Sequence, residues 1–230
     1  MSSARQVAVE ALGRIDEGAY ANLVLPALLA RSGLAGRDRD FVTELVYGVT
    51  RQRRALDSLI DRHLHRDVEP VVRNVLRTGA YQAVFLRTPP HAAVGETVTI
   101  TPKRAKGMVN AVMRRVAATP PSWPDRPTEL SYPDWVVDRL AADLGAGVAD
   151  AALVAMNEAP SATVRPDGYV QDLASQWVAA AVDADDGDRV ADLCAAPGGK
   201  ATALAATGAR VAAVDVNEVR AGLVAANARR

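Results

Sequence analysis

A cluster of prolines near the middle of the chain constrains the fold more than any other feature of the sequence. Five of the fifteen residues from Thr119 to Pro133 are proline. Proline lacks a backbone N–H and clashes with the preceding helical turn, so no helix interior tolerates such a stretch. We therefore predict an extended connector and a domain boundary here. A chain of 230 residues is long enough for one large domain or two smaller ones.

The half before the connector is predicted to be helical throughout. Apolar residues recur at helical spacing along most of residues 1–120. Ser2 and Ser3 are candidate caps for the first helix. Pro102 is expected to interrupt the pattern and to leave a last helix from about Lys106 to Ala118.

The pattern changes after the connector. Helices are predicted from Asp134 to Leu144, from Ala149 to Asn157 and in the segment QDLASQWVAAAV. Beyond the acidic turn DADDGD, a strand, a helix, a strand and a helix follow in RVADLC, KATALAATG, RVAAVDV and EVRAGLVAANARR. This alternation predicts the opening of a parallel, doubly wound sheet. The predicted fold class is therefore multidomain, α followed by α/β.

The composition excludes several classes of protein. The hydrophobic fraction of 49% and the charged fraction of 23% are typical of globular chains. No apolar run reaches the ~18 residues of a membrane span, and the N-terminus lacks the apolar segment of a secretory signal. We expect a cytoplasmic protein with no membrane partner. A single cysteine, Cys194, excludes an internal disulfide and a multi-cysteine zinc site.

The net charge of zero conceals an asymmetry between the two halves. Residues 1–120 carry 18 Lys and Arg against 11 Asp and Glu, whereas residues 121–230 carry 9 against 16. A basic half beside an acidic half indicates a polyanion bound by the first. The candidate RNA-facing residues are Arg51, Arg53, Arg54, Lys103, Arg104, Lys106, Arg114 and Arg115. A solvated basic face is the alternative interpretation.

A glycine-rich turn after the first predicted strand is the strongest candidate site. The segment from Asp192 to Lys200 reads DLCAAPGGK. Glycine lets a ligand approach the backbone, and a helix N-terminus favours anionic groups. The second predicted strand ends at Asp215, sixteen residues after Gly199, where an acid in this architecture holds ribose hydroxyls. These features together predict a site for an adenosine-bearing cofactor, and a tight turn without a ligand is the alternative.

Other familiar sites do not fit the sequence. A dinucleotide fingerprint needs G-x-G-x-x-G, and a phosphate-binding P-loop needs glycine where Cys194 stands and Ser or Thr where Ala201 stands. His63 and His65 diverge on a helix, and His91 is isolated. The acidic turn has its glycine at the fifth position, whereas an EF-hand loop needs it at the sixth. We expect no metal.

Several segments resemble a known family. DLCAAPGGKAT, with Asp215, Val216 and Asn217, resembles motif I and the following strand end of the S-adenosylmethionine-dependent RNA (cytosine-5) methyltransferases. VQDLASQ, residues 170–176, resembles the element that precedes motif I. RDRDFVTELVYGVTRQRRALD, LRTGAYQAVFL, HAAVGETV and GMVNAVMRR resemble the NusB-like helical domain of the Sun/Fmu branch, which modifies 16S rRNA. The resemblance covers nearly the whole chain.

The resemblance implies methyl transfer from S-adenosylmethionine to C5 of a cytosine in small-subunit ribosomal RNA. It implies that residues 1–120 are an RNA-binding NusB-like domain, 121–167 a proline-rich connector with short helices, and 168–230 the N-terminal part of a Rossmann-like methyltransferase domain. It places Asp215 at the ribose. The cofactor loop would comprise Cys194, Ala195, Ala196, Pro197, Gly198, Gly199 and Lys200.

The sequence departs from the family pattern in two places. The N-x-x-P-x-x-x-x-R element, Asn157, Pro160 and Arg165, lies only a few residues before Val170, where the family usually has a longer segment. The family's Pro-Cys and Thr-Cys motifs do not occur. We therefore expect a truncated chain that lacks a small RNA-handling subdomain.

The second departure bears on catalysis. Cytosine C5 is not nucleophilic enough to attack a sulfonium methyl until a thiolate adds to C6. By the family pattern Cys194 lines the cofactor loop and does not face the base. We therefore expect no catalytic residue in this sequence and no activity from this chain alone.

Two other interpretations stay open. The chain is alternatively a non-enzymatic, antitermination-type RNA-binding module with a vestigial methyltransferase start, or a plain fragment of a longer gene. An open reading frame that continues beyond Arg230 with Pro-Cys and Thr-Cys motifs would discriminate between them. No feature of the sequence indicates an oligomeric state.

Overall fold

A computed structural model describes residues 3–159 and 163–229 as two compact units, one ending at Asn157 and the other beginning at Glu158. The helices are α1 (Ala4–Asp16), α2 (Ala21–Arg31), α3 (Arg37–Arg51), α4 (Arg53–Asp61), α5 (Pro70–Val84), α6 (Pro90–Ile100), α7 (Lys106–Ala118), α8 (Arg126–Leu130), α9 (Asp134–Leu144), α10 (Ala146–Met156), α11 (Leu173–Ala180), α12 (Gly199–Ala205) and α13 (Glu218–Ala228). The strands are β1 (Arg189–Asp192) and β2 (Arg210–Ala213). None of these helices combines the length and apolar character needed to cross a membrane.

Local signals account for the helix boundaries of the first unit. Ser3 caps α1 reciprocally, because its hydroxyl accepts from the Gln6 N–H while the Gln6 side chain accepts from the Ser3 N–H. Ser2, the other candidate cap, lies outside the described residues. Helix α6 ends at Ile100, before Pro102, and the prediction of α7 from Lys106 to Ala118 is confirmed.

The first unit has a continuous apolar core formed by α1 to α7. Its largest buried side chains include Leu45 on α3, Leu56 on α4, Leu76 on α5 and Met113 on α7. The 3.6-residue apolar period of the sequence therefore marks the faces that are buried. The predicted helical half is confirmed as an all-α unit.

The proline-rich connector packs on the helical unit and contains a short helix of its own. Helix α8 tolerates Pro127 because the first helical N–H groups have no intrahelical partner. Asp125 caps it by accepting from the Thr128 N–H at 2.8 Å. Since α8 to α10 belong to the same compact unit as α1 to α7, residues 121–157 are structurally continuous with the helical half. The functional division of the chain into three regions stays a prediction.

The second unit contains the predicted strand and helix alternation. β1 and β2 pair in parallel, with Arg189 opposite Arg210 and Asp192 opposite Ala213, and α12 connects them. Each strand is shorter than the segment predicted for it, because regular pairing stops at Asp192 and Ala213. In the described part of this unit, the buried apolar side chains are Ala179, Ala195, Ala196, Ala201, Leu204 and Ala209. Five of these six residues are alanines, and the small side chains of Ala195 and Ala196 let the backbone of the loop after β1 lie close to its neighbours.

Candidate cofactor site

The segment from Cys194 to Lys200, here called the glycine loop, joins β1 to α12. Cys194 and Pro197 are exposed, whereas Ala195, Ala196 and both glycines are buried. Gly198 has φ +107°, a conformation that L side chains rarely adopt, and it immediately precedes α12. The chain therefore reverses direction within the motif that the sequence singled out.

Asp215 lies directly against this loop. Its Oδ2 accepts from the Ala196 N–H at 3.2 Å, and its Oδ1 accepts from the Asn217 N–H at 3.0 Å. The Asn217 N–H lowers the pKa of the Asp215 carboxyl, and the Ala196 N–H and the charge of Arg220 act in the same direction. The two parts of the predicted site are thus brought together, and Asp215 is ionised at neutral pH.

Side chains from two neighbouring segments hold the carbonyl groups of the glycine loop. The donor and acceptor pairs are Arg220 Nη2 to Ala196 O (3.4 Å), Asn227 Nδ2 to Pro197 O (2.8 Å) and Arg165 Nη1 to Gly199 O (2.6 Å). None of these three roles is predicted from the sequence. Arg220 and Asn227 are seven residues apart, which places them on one face of α13. This spacing is the only local signal for their two roles.

Both glycines are packed tightly. A Cβ on Gly198 would lie 3.2 Å from Val224 Cα, and one on Gly199 would lie 3.1 Å from Gln171 Nε2 and 3.4 Å from Tyr169 Cε1. The loop therefore has space for glycine at these two positions and for little else.

Asp192, at the end of β1, carries a buried oxygen that has no hydrogen-bond partner among the described residues. Its Oδ1 accepts from the Cys194 N–H at 3.2 Å, whereas no hydrogen-bond donor within the described residues reaches Oδ2. A buried acceptor without a partner is unfavourable and rare in folded proteins, so it marks a position where a donor from outside the chain would be accommodated. Asp192 and Asp215 thus place two carboxylates beside the glycine loop.

The predicted basic residues of the helical unit are used in different ways. Arg54 donates to Tyr132 O at 2.6 Å and pairs with Asp134 at 2.8 Å, so it holds the connector. Arg53 pairs with Asp16, and Arg104 pairs with Glu69. The predicted basic residues that are exposed on and beside α7 are Lys103, Arg104, Lys106, Arg114 and Arg115. Within residues 3–159 and 163–229, no group of three or more His, Cys, Asp or Glu side chains is placed to hold a metal ion.

Comparisons with known proteins agree with the division into a helical half and a second unit. Residues 2–118 match the model of the NusB family, and residues 179–230 match that of the 16S rRNA methyltransferase RsmB/F. A solved structure titled "Crystal Structure of PH0851" covers this whole chain with a TM-score of 0.65 at 16% identity, and the chain covers 67% of it. That likeness shows the fold.

Two curated relatives are similar in sequence. The putative methyltransferase Rv1407 of Mycobacterium tuberculosis is 36% identical over 305 aligned positions that cover all of this chain and 66% of the relative. The ribosomal RNA small subunit methyltransferase B of Thermus thermophilus is 34% identical and covers 98% of this chain, which spans 63% of that relative. Because the first alignment is longer than the chain, the relative has segments within the aligned region that this chain lacks.

The matched regions define a chain in which a helical domain of the NusB type is followed by a region similar to a 16S rRNA methyltransferase. By the match over residues 2–118, about half of its length, the chain belongs to the NusB family, and residues 179–230 are similar to the 16S rRNA methyltransferase RsmB/F.

Proposed function

We propose that this chain provides the RNA-binding part and the cofactor loop of an S-adenosylmethionine-dependent methyltransferase that acts on C5 of a cytosine in small-subunit ribosomal RNA. The observation that carries the proposal is the contact between Asp215 and the glycine loop, at 3.2 Å from Ala196 N. It joins an ionised strand-end carboxylate to a glycine turn in the arrangement that binds adenosine cofactors. The family match supports the same class of reaction.

The residues of the site fit this cofactor. A carboxylate has about four lone-pair positions, so Asp215 retains capacity for ribose hydroxyls beyond its two backbone donors. Asp192 Oδ2 would accept from the ammonium group of the methionine part. Cys194, Ala195, Ala196, Pro197, Gly198, Gly199 and Lys200 would line the cofactor. When bound, S-adenosylmethionine supplies the electrophilic methyl group.

We assign Cys194 to the cofactor loop and not to the nucleophile that activates the base. Its N–H is engaged by Asp192, and its position at the end of β1 places it within the turn that would surround the cofactor. No other residue of this sequence is a cysteine. The chain is therefore assigned cofactor and RNA binding, and no thiolate within it is assigned to addition at cytosine C6.

A calorimetric titration with S-adenosylmethionine tests the cofactor assignment. Asp215→Asn removes the charge while keeping the shape of the side chain, and we expect binding to weaken about tenfold, since a hydrogen bond to a charged group contributes ~1.5–3 kcal/mol. Glu218→Gln, a loss of one negative charge from an exposed residue three positions away, is the matched control and should leave affinity unchanged. Equal affinities for Asp215→Asn and the wild type would remove Asp215 from the site.

A non-enzymatic RNA-binding module is the second candidate, favoured by the match of residues 2–118 to the NusB family. Titration of the wild-type chain with S-adenosylmethionine and, separately, with a small-subunit rRNA fragment separates the two candidates. Retained RNA binding with no affinity of the wild-type chain for S-adenosylmethionine would support the module and reject the cofactor assignment.

A further inference from the structure

Arg165 is a buried cation in the second unit. Only 7% of the residue is exposed. It lies in a short hairpin, residues 163–171, in which Val164 and Val170 form an antiparallel bridge. The hairpin is closed by hydrogen bonds from Arg165 N to Tyr169 O and from Gln171 N to Thr163 O, both at 2.9 Å. A buried arginine is retained only where its donors are satisfied, so its partners indicate its role.

The guanidinium connects this hairpin to the glycine loop. Asp167 receives two of its N–H groups in a bidentate pair, which neutralises the charge. Nη1 donates to Gly199 O at 2.6 Å and to Gln171 Oε1 at 3.0 Å. Thr202 Oγ1 lies 3.3 Å from both terminal nitrogens. The planar group therefore spans from its own hairpin to the first turn of α12.

Tyr169 and Gln171 complete the contact between the two segments. The Arg165 guanidinium stacks over the Tyr169 ring at 4.8 Å. The same ring and the Gln171 amide are the atoms that a Cβ on Gly199 would meet. The hairpin thus fixes Gly199 in two ways, by a hydrogen bond to its carbonyl oxygen and by packing against its Cα.

From this geometry we infer that Arg165 is a positioning residue of the cofactor site: through Gly199 O it sets the conformation of the glycine loop before the cofactor binds. This inference rests on the proposed function of the loop. Arg165 does not bind the cofactor itself, because its N–H donors are occupied by Asp167, Gln171, Gly199 and Thr202.

Lysine cannot replace arginine in this role. A guanidinium offers five donors in a fixed plane, whereas an ammonium is a point charge with three donors on a flexible stem. Arg165→Lys keeps the charge beside Asp167, but it cannot serve Asp167 and Gly199 in the same geometry. The pair of Arg165→Lys and Arg165→Met therefore separates charge neutralisation from loop positioning.

Hydrogen–deuterium exchange of the 230-residue chain without cofactor gives a direct readout of loop order. We expect Arg165→Met and Arg165→Lys to raise the exchange rate of residues 194–202 at least tenfold, while β1 and β2 change by less than threefold. Arg229→Met, which removes an exposed arginine outside the glycine loop, β1 and β2, is the matched control and should change neither region. In calorimetry, both Arg165 variants should weaken S-adenosylmethionine binding about tenfold.

The possible results discriminate between the claims. A rise in exchange spread equally over the loop, β1 and β2 would make Arg165 a general structural residue and overturn the inference. Unchanged exchange in the loop, or full rescue by lysine, would also overturn it. If the wild type binds no S-adenosylmethionine, the proposed function fails, while exchange confined to residues 194–202 would still support Arg165 as the residue that orders this loop.

Discussion

The close approach of Gly198 to α13 permits a quantitative test of the site architecture. Gly198 and Gly187 both have a positive φ, +107° and +84°, but their surroundings differ. A Cβ on Gly198 would meet Val224 Cα at 3.2 Å and Val224 Cγ1 at 3.4 Å, whereas a Cβ on Gly187 would have no heavy atom within 4 Å. Alanine at Gly187 thus introduces backbone strain alone, and alanine at Gly198 introduces strain and crowding.

The two costs differ in size. The left-handed conformation costs an L-residue ~1–2 kcal/mol. Overpacking against a contact that cannot move freely adds ~1–3 kcal/mol. Since the nearest atom is a backbone atom of α13, the loop or the helix must shift to admit the methyl group. We expect Gly187→Ala to destabilise the second unit by ~1–2 kcal/mol and Gly198→Ala by ~2–5 kcal/mol.

The stability of the second unit by itself is measured by titrating the 230-residue chain with urea. Unfolding is monitored by hydrogen exchange in peptides from residues 189–213. Val224→Ala combined with Gly198→Ala should recover the part of the loss that comes from Cγ1, but not the part that comes from Cα. Equal losses for Gly198→Ala and Gly187→Ala would refute the close approach of the glycine loop to α13.

Three further outcomes are expected. Hydrogen bonds from the Arg165 side chain and, to a smaller extent, from the Tyr169 N–H lower the pKa of Asp167 to about 2. The stabilisation of the hairpin by the Asp167 carboxylate is therefore complete above about pH 4 and is lost as the pH falls towards 2. Asp167→Asn should abolish this acid dependence of hydrogen exchange in the hairpin. Arg54→Met removes the hydrogen bond to Tyr132 O, and we expect faster exchange in residues 121–133, equivalent to ~1–2 kcal/mol, while Arg114→Met has no such effect. Binding of a small-subunit rRNA fragment should weaken steeply between about 50 and 200 mM salt, because contacts between basic side chains and phosphates release counterions. An affinity that does not change with salt would reject binding through the basic helical unit.

The sequence alone determined the features that depend on neighbouring residues. Helical spacing of apolar side chains, the Ser3 capping box, Pro70 at the start of α5 and the position of α7 are all encoded within a few residues. The same holds for the alternation of β1, α12 and β2, and for the glycine turn between them, because turns and caps depend on local dihedral preferences. The motif letters also sufficed to indicate the family.

Only the tertiary structure decided how the connector and the glycine loop are held. Arg54 carries the same charge as its neighbour Arg53, but one binds the connector and the other pairs with Asp16. The carbonyl groups of the loop are held by Arg165, Arg220 and Asn227, which lie 34, 24 and 30 positions from their partners. A hydrogen bond between such distant residues leaves no periodic or local trace in a single sequence, since it forms only when two separately folded segments are brought into contact.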